Sequence, residues 1–110
     1  MQKQYVVDPR KLEPLASDKG LCMVTDLILV EGQPVGYMVR EEPEDKEDSG
    51  WRFFSGAEDD RYLDNPKHFN LVDVNLVANC DPGIVEYLDA PVGAAFDKHE
   101  GVFYDVSEDD

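Results

Sequence analysis

The chain has 110 residues, 42% of them hydrophobic, with eleven aromatic side chains and a formal net charge of −15 at pH 7. A single domain of this length buries roughly two thirds of the surface exposed by its unfolded chain, which argues for a folded core and against disorder. Because phosphate backbones and anionic lipids bind clustered Lys and Arg, this charge predicts no direct nucleic-acid binding and no membrane binding.

The first two predicted strands follow an irregular N-terminal segment. Residues 1–20 mix charged residues with prolines and show no sustained periodicity, so we expect an N-terminal arm. The apolar run at 21–30 is rich in β-branched residues and is typical of a strand. A turn is expected at 31–34, where Gly and Pro occur together, and a second strand is expected at 35–41. These segments predict a first hairpin.

The aromatic stretch that opens at Trp51 follows a charged segment, residues 41–50, which has no aliphatic or aromatic residue. We expect the charged segment to be an exposed loop and the aromatic stretch to be a strand. Side chains along a strand point alternately to opposite faces. Trp51 and Phe53 are therefore expected in the core. Arg52 and Phe54 are expected on the other face.

A short helix is predicted directly after this strand. Ser55 and Glu58 have the Ser-x-x-Glu spacing of a capping box, in which both side chains hydrogen-bond to backbone amides at the helix start. Glu58, Asp59 and Asp60 would then lie in the first turn, where the helix dipole favours carboxylates. The helix is expected to end at Pro66.

Two more short helices are predicted in the following segment. The first begins at Asp73 and carries an apolar stripe on one face. Asp81 is followed by a proline, which is a favourable N-cap and first position for the second helix. The side chains expected to face inward from these helices are Val74, Val77, Ala78, Ile84, Val85 and Leu88.

The C-terminal segment, residues 94–106, alternates again and has a turn signal at 98–101, which predicts a second hairpin. Strands followed by helices and then strands indicate an α+β fold. We expect a mainly antiparallel sheet, built from two hairpins and a central aromatic strand, with short helices packed on one side. The expected organisation is an arm at 1–20, one domain at 21–106 and an acidic solvated tail at 107–110.

The sequence contains no recognisable catalytic or metal-binding motif. His68 and His99 are about thirty residues apart, and neither accompanies a nucleophile at a known spacing. The acidic run at 44–50 departs from a calcium-binding loop, because a lysine interrupts it and its glycine is misplaced. Cys22 and Cys80 lack zinc-ligand spacing and are expected to be reduced, mostly buried thiols. We therefore expect no catalytic residue, no metal and no cofactor.

The acidity is confined to the second and third parts of the chain. Residues 1–40 hold five basic and five acidic side chains, residues 41–66 hold three basic and ten acidic, and residues 67–110 hold two basic and ten acidic. A basic protein partner would be electrostatically compatible with these parts. Solubility alone is the other explanation of such a surface.

The candidate partner-binding residues surround the end of the aromatic strand. Arg52 and Phe54 are predicted to face outward, next to the carboxylates of Glu58, Asp59 and Asp60. An exposed arginine and an exposed aromatic ring surrounded by acid have the composition of an interface hot spot. An ordinary charged sheet face has the same composition, so the surface is a hypothesis that needs the fold.

Several parts of the sequence resemble an uncharacterised bacterial family that was first catalogued as a domain of unknown function. They are VGYMVREEP at 35–43, DSGWRFFSGAEDD at 48–60, DVNLVANCDPGIVEYLDAPVG at 73–93 and Phe96. The resemblance covers about residues 22–97. Comparative genomics assigns this family as immunity proteins of polymorphic toxin systems.

The resemblance implies a small cytoplasmic α+β protein that binds a cognate toxin and occludes it, with no catalysis of its own. An acidic surface would suit a basic toxin, such as a nuclease. The family brings no established binding residues to the candidate surface and leaves the oligomeric state open. No apolar stretch approaches the roughly twenty residues of a membrane span, which agrees with a cytoplasmic location.

Two other classes of function stay open at this point. A housekeeping small-ligand or protein-interaction domain would be favoured by an apolar pocket lined by Tyr37, Tyr62 or Tyr87. An enzyme would be favoured by a cluster of His68 or His99 with carboxylates.

Overall fold

The computed structural model describes residues 3–107, and the elements named below are those of that part of the chain. Residues 108–110 of the predicted acidic tail lie outside the described residues. The strands are β1 (Leu21–Thr25), β2 (Tyr37–Arg40), β3 (Asp48–Phe54), β4 (Phe69–Asp73), β5 (Ala95–His99) and β6 (Val102–Asp105). The α-helices are α1 (Asp26–Leu29), α2 (Asp60–Leu63) and α3 (Val74–Cys80), and 3₁₀ helices occupy Pro66–His68 and Pro82–Tyr87.

The six strands form one sheet in the order β4-β1-β3-β2-β5-β6. Neighbouring strands run antiparallel except β1 and β3, which are parallel. The aromatic strand β3 lies inside the sheet, between β1 and β2. The predicted α+β class, with a mainly antiparallel sheet and short helices, is confirmed.

The hairpin predicted from residues 21–41 is wrong, because β3 lies between β1 and β2. The apolar run is divided: the strand ends at Thr25, and α1 follows directly. Ile28 and Leu29 are both fully buried in the core, whereas a continuing strand would send adjacent side chains to opposite faces. The observed first hairpin joins β2 to β3 through residues 41–47, which we call the acidic loop, and residues 48–50, which were predicted to be loop, already belong to β3.

Carboxylate N-caps begin α3, which was predicted to open at Asp73, and the 3₁₀ helix at Pro82–Tyr87, for which Asp81 was the predicted cap. Asp73 accepts a hydrogen bond from the backbone amide of Asn75 at 2.8 Å, and Asp81 accepts one from that of Gly83 at 3.1 Å. The inward orientation predicted for Val85 is wrong, since this side chain is 36% exposed. A 3₁₀ helix has three residues per turn, which turns Val85 away from the core.

The core lies between the sheet and these helices. Trp51 and Phe53 are buried as predicted, and the indole Nε1 of Trp51 donates a hydrogen bond to the carbonyl of Leu88 at 3.2 Å. The side chains that α1, α3 and Pro82–Tyr87 bury against the sheet are Ile28, Leu29, Val74, Leu76, Val77, Ala78 and Ile84. No helix in the described part of the chain is long and apolar enough to cross a membrane.

The segment before β1 packs onto the domain through side chains and through amide hydrogen bonds. Tyr5, Val7 and Leu12 contact the core, and Ala16 is buried in it. The carboxamide of Asn75 accepts hydrogen bonds from the backbone amides of residues 15 and 16, at 2.9 and 2.8 Å. These contacts fix the segment on the helix side of the sheet.

The second predicted hairpin, β5–β6, is confirmed. Its two-residue turn consists of Glu100 and Gly101, both with positive φ (52° and 81°). Such a turn matches the right-handed twist of the strands that it joins. Strand β4 was not predicted, because its five residues follow a 3₁₀ helix closely and alternate only weakly in hydrophobicity.

Candidate partner-binding surface

Arg52 is buried, and the prediction that it faces solvent is wrong. It is 8% exposed. Its Nη1 and Nη2 atoms donate to Oδ1 and Oδ2 of Asp48 at 3.0 and 2.9 Å, and its Nε donates to Oε1 of Glu41 at 3.2 Å. The side chain of Asp48 is only 9% exposed, whereas that of Glu41 is 61% exposed. Arg52 therefore links Asp48 of its own strand to Glu41 at the start of the acidic loop and offers little surface to a partner.

The electrostatics of this pair are internal to the fold. The hydrogen bonds from Arg52 hold the pKa of the Asp48 carboxyl far below its usual range, although partial burial opposes the shift. The same hydrogen bonds raise the pKa of Arg52. A bidentate pair between guanidinium and carboxylate is among the stronger charged contacts in proteins. Its two charges neutralise each other, so they do not attract a partner.

Phe54 lies at the end of β3 and is half-buried. It is directly opposite Tyr37 of β2 in the strand register, and the two ring centroids are 5.9 Å apart at an interplanar angle of 39°. The carbonyl of Phe54 accepts a hydrogen bond from the amide of Gly36 at 2.8 Å. The strand pairing thus fixes an aromatic pair at this end of the sheet.

Glu58 accepts three hydrogen bonds. The hydroxyl of Thr25 and the amide of Ser55 donate to its Oε2 at 2.5 and 2.8 Å, and the amide of Gly56 donates to its Oε1 at 2.9 Å. Burial raises the pKa of Glu58, but these hydrogen bonds outweigh it and leave the pKa below its usual value. The carboxylate is therefore ionised at neutral pH, and no Lys or Arg among residues 3–107 forms an ion pair with it.

The helix predicted to start at Ser55 begins four residues later. Asp59 is the N-cap of α2, and its Oδ1 accepts from the amide of Tyr62 at 2.8 Å. The side-chain hydrogen bonds expected of Ser55 and Glu58 do form, since the hydroxyl of Ser55 accepts from the amide of Ala57 and Glu58 accepts from that of Ser55, but they lie at a bend that precedes the helix. Asp59 and Asp60 are both exposed at the start of α2.

A hollow of about 270 Å³ brings several of these residues together. Its lining residues are Tyr37, Phe54, Gly56, Glu58 and Leu63, and we call it the Phe54 hollow. Two of the candidate residues, Phe54 and Glu58, line it, and Asp59 and Asp60 follow directly in the chain. Arg52 is not part of it. The sequence alone did not indicate Leu63 because α2 was placed too early.

The face of the sheet opposite the core is the second part of the surface. By strand register, Leu71, Met23, Arg52 and Val39 lie side by side across β4, β1, β3 and β2, and we call this side the open face. No helix among residues 3–107 buries an apolar side chain against it. Leu71 is 64% exposed. This residue was missed because β4 was not predicted.

The histidines and cysteines do not form a reactive cluster. His68 stacks on the ring of Tyr62 with a centroid distance of 3.9 Å, and exposed His99 lies 3.1 Å from a carboxylate oxygen of β5. Cys22 and Cys80 are unbonded, and burial raises the pKa of both thiols, that of Cys80 to about 11. Within the described residues, no group of three His, Cys, Asp or Glu side chains is arranged to hold a metal ion.

Replacing Tyr62 with phenylalanine is expected to leave stability unchanged or to raise it by up to about 1 kcal/mol, because a buried polar group without a partner costs free energy. The Tyr62 hydroxyl is buried and forms no hydrogen bond of ordinary geometry in the described part of the chain, although the backbone amide of Leu27 is close enough to lower its pKa against the larger effect of burial, which raises it. The free energy of unfolding in urea would measure the effect. As a control, Thr25→Val removes a hydroxyl that does have a partner, so a loss of about 1–2 kcal/mol is expected. A larger loss for Tyr62→Phe than for Thr25→Val would contradict this assignment.

The described residues form a small α+β domain in which the aromatic strand β3 ends at the Phe54 hollow, with one carboxylate in its lining. The net charge of the whole chain is −15. The sequence model of a family described as Immunity protein Imm33 domain matches residues 22–107. The chain belongs to this immunity-protein family, which confirms the resemblance found in its sequence. Comparison with curated proteins and with solved structures gave no match.

Proposed function

We propose that the chain is a non-catalytic cytoplasmic binding protein that neutralises a cognate toxin by occluding it. The observation that carries this proposal is the family match over residues 22–107. An immunity protein protects the cell that makes the toxin, so its partner is a protein. A toxin with a basic cleft, such as a nuclease, has the charge that best complements a chain of net charge −15.

The charge of the chain supports this choice of partner. Complementary charges at the rim of an interface accelerate association and select the partner, more than they add affinity. The exposed carboxylates of Asp59 and Asp60 stand beside the Phe54 hollow and suit such a rim. Phe54 and the apolar side chains of the open face would supply the centre of the contact. Arg52, which is buried, would act by fixing the acidic loop.

Protection by co-expression tests the proposal. The genes that neighbour this one are searched for a toxin domain, which is then expressed in a bacterial host with or without the chain, and survival is counted. Survival that depends on the chain is expected. The purified pair should form a complex whose association rate falls about 10-fold or more as salt is raised, because the attraction between opposite charges is screened. Equal killing with and without the chain would refute the proposal.

A matched pair of variants locates the surface. Asp59→Asn with Asp60→Asn removes two charges beside the hollow, and asparagine retains the N-cap of α2. Glu13→Gln with Glu86→Gln removes two exposed charges on the helix side. We expect an association rate roughly 2- to 5-fold lower for the first pair and an unchanged rate for the second. Equal effects would place the interface elsewhere.

A small-ligand domain is a second candidate, and the hollow beside Tyr37 is the observation that favours it. Its volume of about 270 Å³ is below the roughly 300–1,000 Å³ of typical small-molecule sites. Tyr62 does not line the hollow. The hollow opens to the surface at Gly56, which is exposed. A separate hollow of about 300 Å³ is lined by Tyr87, but three charged side chains also line it, so it is not the apolar pocket that a small-ligand domain would have. These properties favour a protein contact over an enclosed ligand.

A further inference from the structure

The Phe54 hollow combines aromatic walls, an apolar wall and one negative charge. Tyr37 and Phe54 present their rings at 5.9 Å, Leu63 lies at the end of α2, and the carboxylate of Glu58 is the charged group. Gly56 leaves one side without a side chain. A hollow of about 270 Å³ with this lining has room for one long side chain rather than for a whole ligand.

The charge of the hollow is not neutralised within the described residues. Glu58 is ionised, and three of its roughly four acceptor positions are occupied by Thr25, Ser55 and Gly56. The backbone amide of Glu58 itself also lowers the pKa of this carboxyl, and since all of these donors are uncharged, the negative charge remains available to a cation. In the strand register, Asp97 of β5 is directly opposite Tyr37, so a second carboxylate borders the aromatic pair.

A long basic side chain matches this combination. The faces of Tyr and Phe rings attract a guanidinium or an ammonium group, a carboxylate adds a charge-assisted hydrogen bond, and apolar walls cover the methylene stem. Guanidinium is favoured over ammonium because it is planar, stacks on rings and is less strongly hydrated. An anion would be repelled by Glu58, Asp59 and Asp60.

We propose that the Phe54 hollow receives an arginine side chain of the toxin and is the main contact of the complex. This proposal rests on the proposed function, since the arginine belongs to the toxin. The contact would combine a buried aromatic anchor with a desolvated charge, as interface hot spots do. The carboxylates of Asp59 and Asp60 guide the approach, and the hollow holds the partner once it has arrived.

A titration without toxin tests the hollow by itself. N-acetyl-arginine amide is added to the ¹⁵N-labelled chain, and backbone amide shifts are followed by NMR. We expect saturable shifts at Phe54 and Gly56, with an affinity on the order of millimolar. N-acetyl-citrulline amide has nearly the same shape without the charge, and we expect it to bind at least about 5-fold more weakly. Equal shifts with both compounds, or no shifts at the hollow, would overturn the proposal.

Two variants extend the test to the complex. Phe54→Ala removes one aromatic wall, and Leu63→Arg fills the hollow with a cation of the chain itself. Each is expected to weaken toxin binding about 10-fold or more, whereas Val85→Ala on the helix side leaves the affinity unchanged. Thermal unfolding checks that each variant is folded, and Leu63→Arg retains a good helix former. Wild-type affinity in both variants would contradict the assignment.

The two proposals fail in different ways. If the wild-type chain protects cells but neither arginine nor the variants show an effect at the hollow, the toxin binds another surface. If the wild-type chain gives no protection, the proposed function is wrong, whatever the titration shows.

Discussion

Replacing Arg52 with methionine is expected to destabilise the protein by about 3–5 kcal/mol, because the substitution leaves the buried carboxylate of Asp48 without its counter-ion. The side chain of Asp48 is 9% exposed, and Arg52 is its ion-pair partner. Methionine retains much of the volume of the arginine stem, so the loss reports the charge rather than a cavity. The free energy of unfolding at pH 7, measured in urea by circular dichroism, would check this expectation.

The double variant Arg52→Met with Asp48→Asn is the control. Asp48 accepts a hydrogen bond from the amide of Gly50 at 2.9 Å, and an asparagine at this position can still accept it. Because the buried charge is then absent, at least half of the lost stability should return. A single variant that loses less than about 1 kcal/mol would mean that the pair contributes no more than an exposed one.

The ion pair between Arg52 and Asp48 also makes the free energy of unfolding depend on pH in the acidic range. The pKa of Asp48 is lower in the folded chain than in the unfolded chain, where it is about 3.9. Its contribution is therefore complete above pH 4 to 5 and is lost as the pH falls through the lowered pKa of the folded state. We expect the stability difference between wild type and Asp48→Asn to be constant from pH 6 to 8 and to shrink below about pH 4.

Substitution of Gly50 by alanine is expected to cost about 3 kcal/mol or more. Gly50 lies within β3 at φ +89°, and an added Cβ would be 2.2 Å from the carbonyl oxygen of Glu41. The positive φ costs roughly 1–2 kcal/mol for a residue with a side chain, and forced overlap typically adds about 1–3 kcal/mol. The overlap would also disturb a backbone hydrogen bond of the hairpin, because the amide of Glu41, the residue after β2, donates to the carbonyl of Gly50. Thermal unfolding would measure the loss.

Substitution of Gly93 by alanine separates the cost of a positive φ from the cost of steric overlap. Its φ is +97°, but an added Cβ would meet no atom within 4 Å. Gly93→Ala should therefore lose only the conformational part, about 1–2 kcal/mol. Equal losses at the two glycines would show that the close approach of Glu41 to β3 is relieved by a small shift of the loop.

Local signals in the sequence predicted the parts of the fold that depend on neighbours in the chain. Asp73 was recognisable as a helix start and Asp81 as an N-cap because their partners are two residues away. The β5–β6 hairpin depends on a two-residue turn, and alternation placed Trp51 in the core. The parallel pairing of β1 with β3 was not predictable in this way, because it joins Leu21 to Asp48 without any local turn signal.

The candidate surface was predicted only in part for the same reason. Phe54 and Glu58 were selected from one stretch, but Tyr37 and Leu63 reach the hollow from other elements. Arg52 was expected to be exposed because alternation along the strand places it on the face opposite Trp51 and Phe53. Besides Asp48, its burial depends on Glu44 and Asp45 of the acidic loop, which lie beside it, and whether an acidic loop folds back onto a strand is a tertiary property.

The position of β1 between β3 and β4 has a consequence for the newly made chain. β1 is complete at Thr25, but its second flanking strand ends only at Asp73. At the usual pace of translation, roughly 5–20 residues per second, the ribosome needs about 2–10 s to make the intervening residues. Throughout that interval an apolar strand lacks a neighbour on at least one edge, whereas each hairpin can pair as soon as its second strand emerges. The first strand to be synthesised is thus enclosed on both edges only after β3 and β4 have both been made.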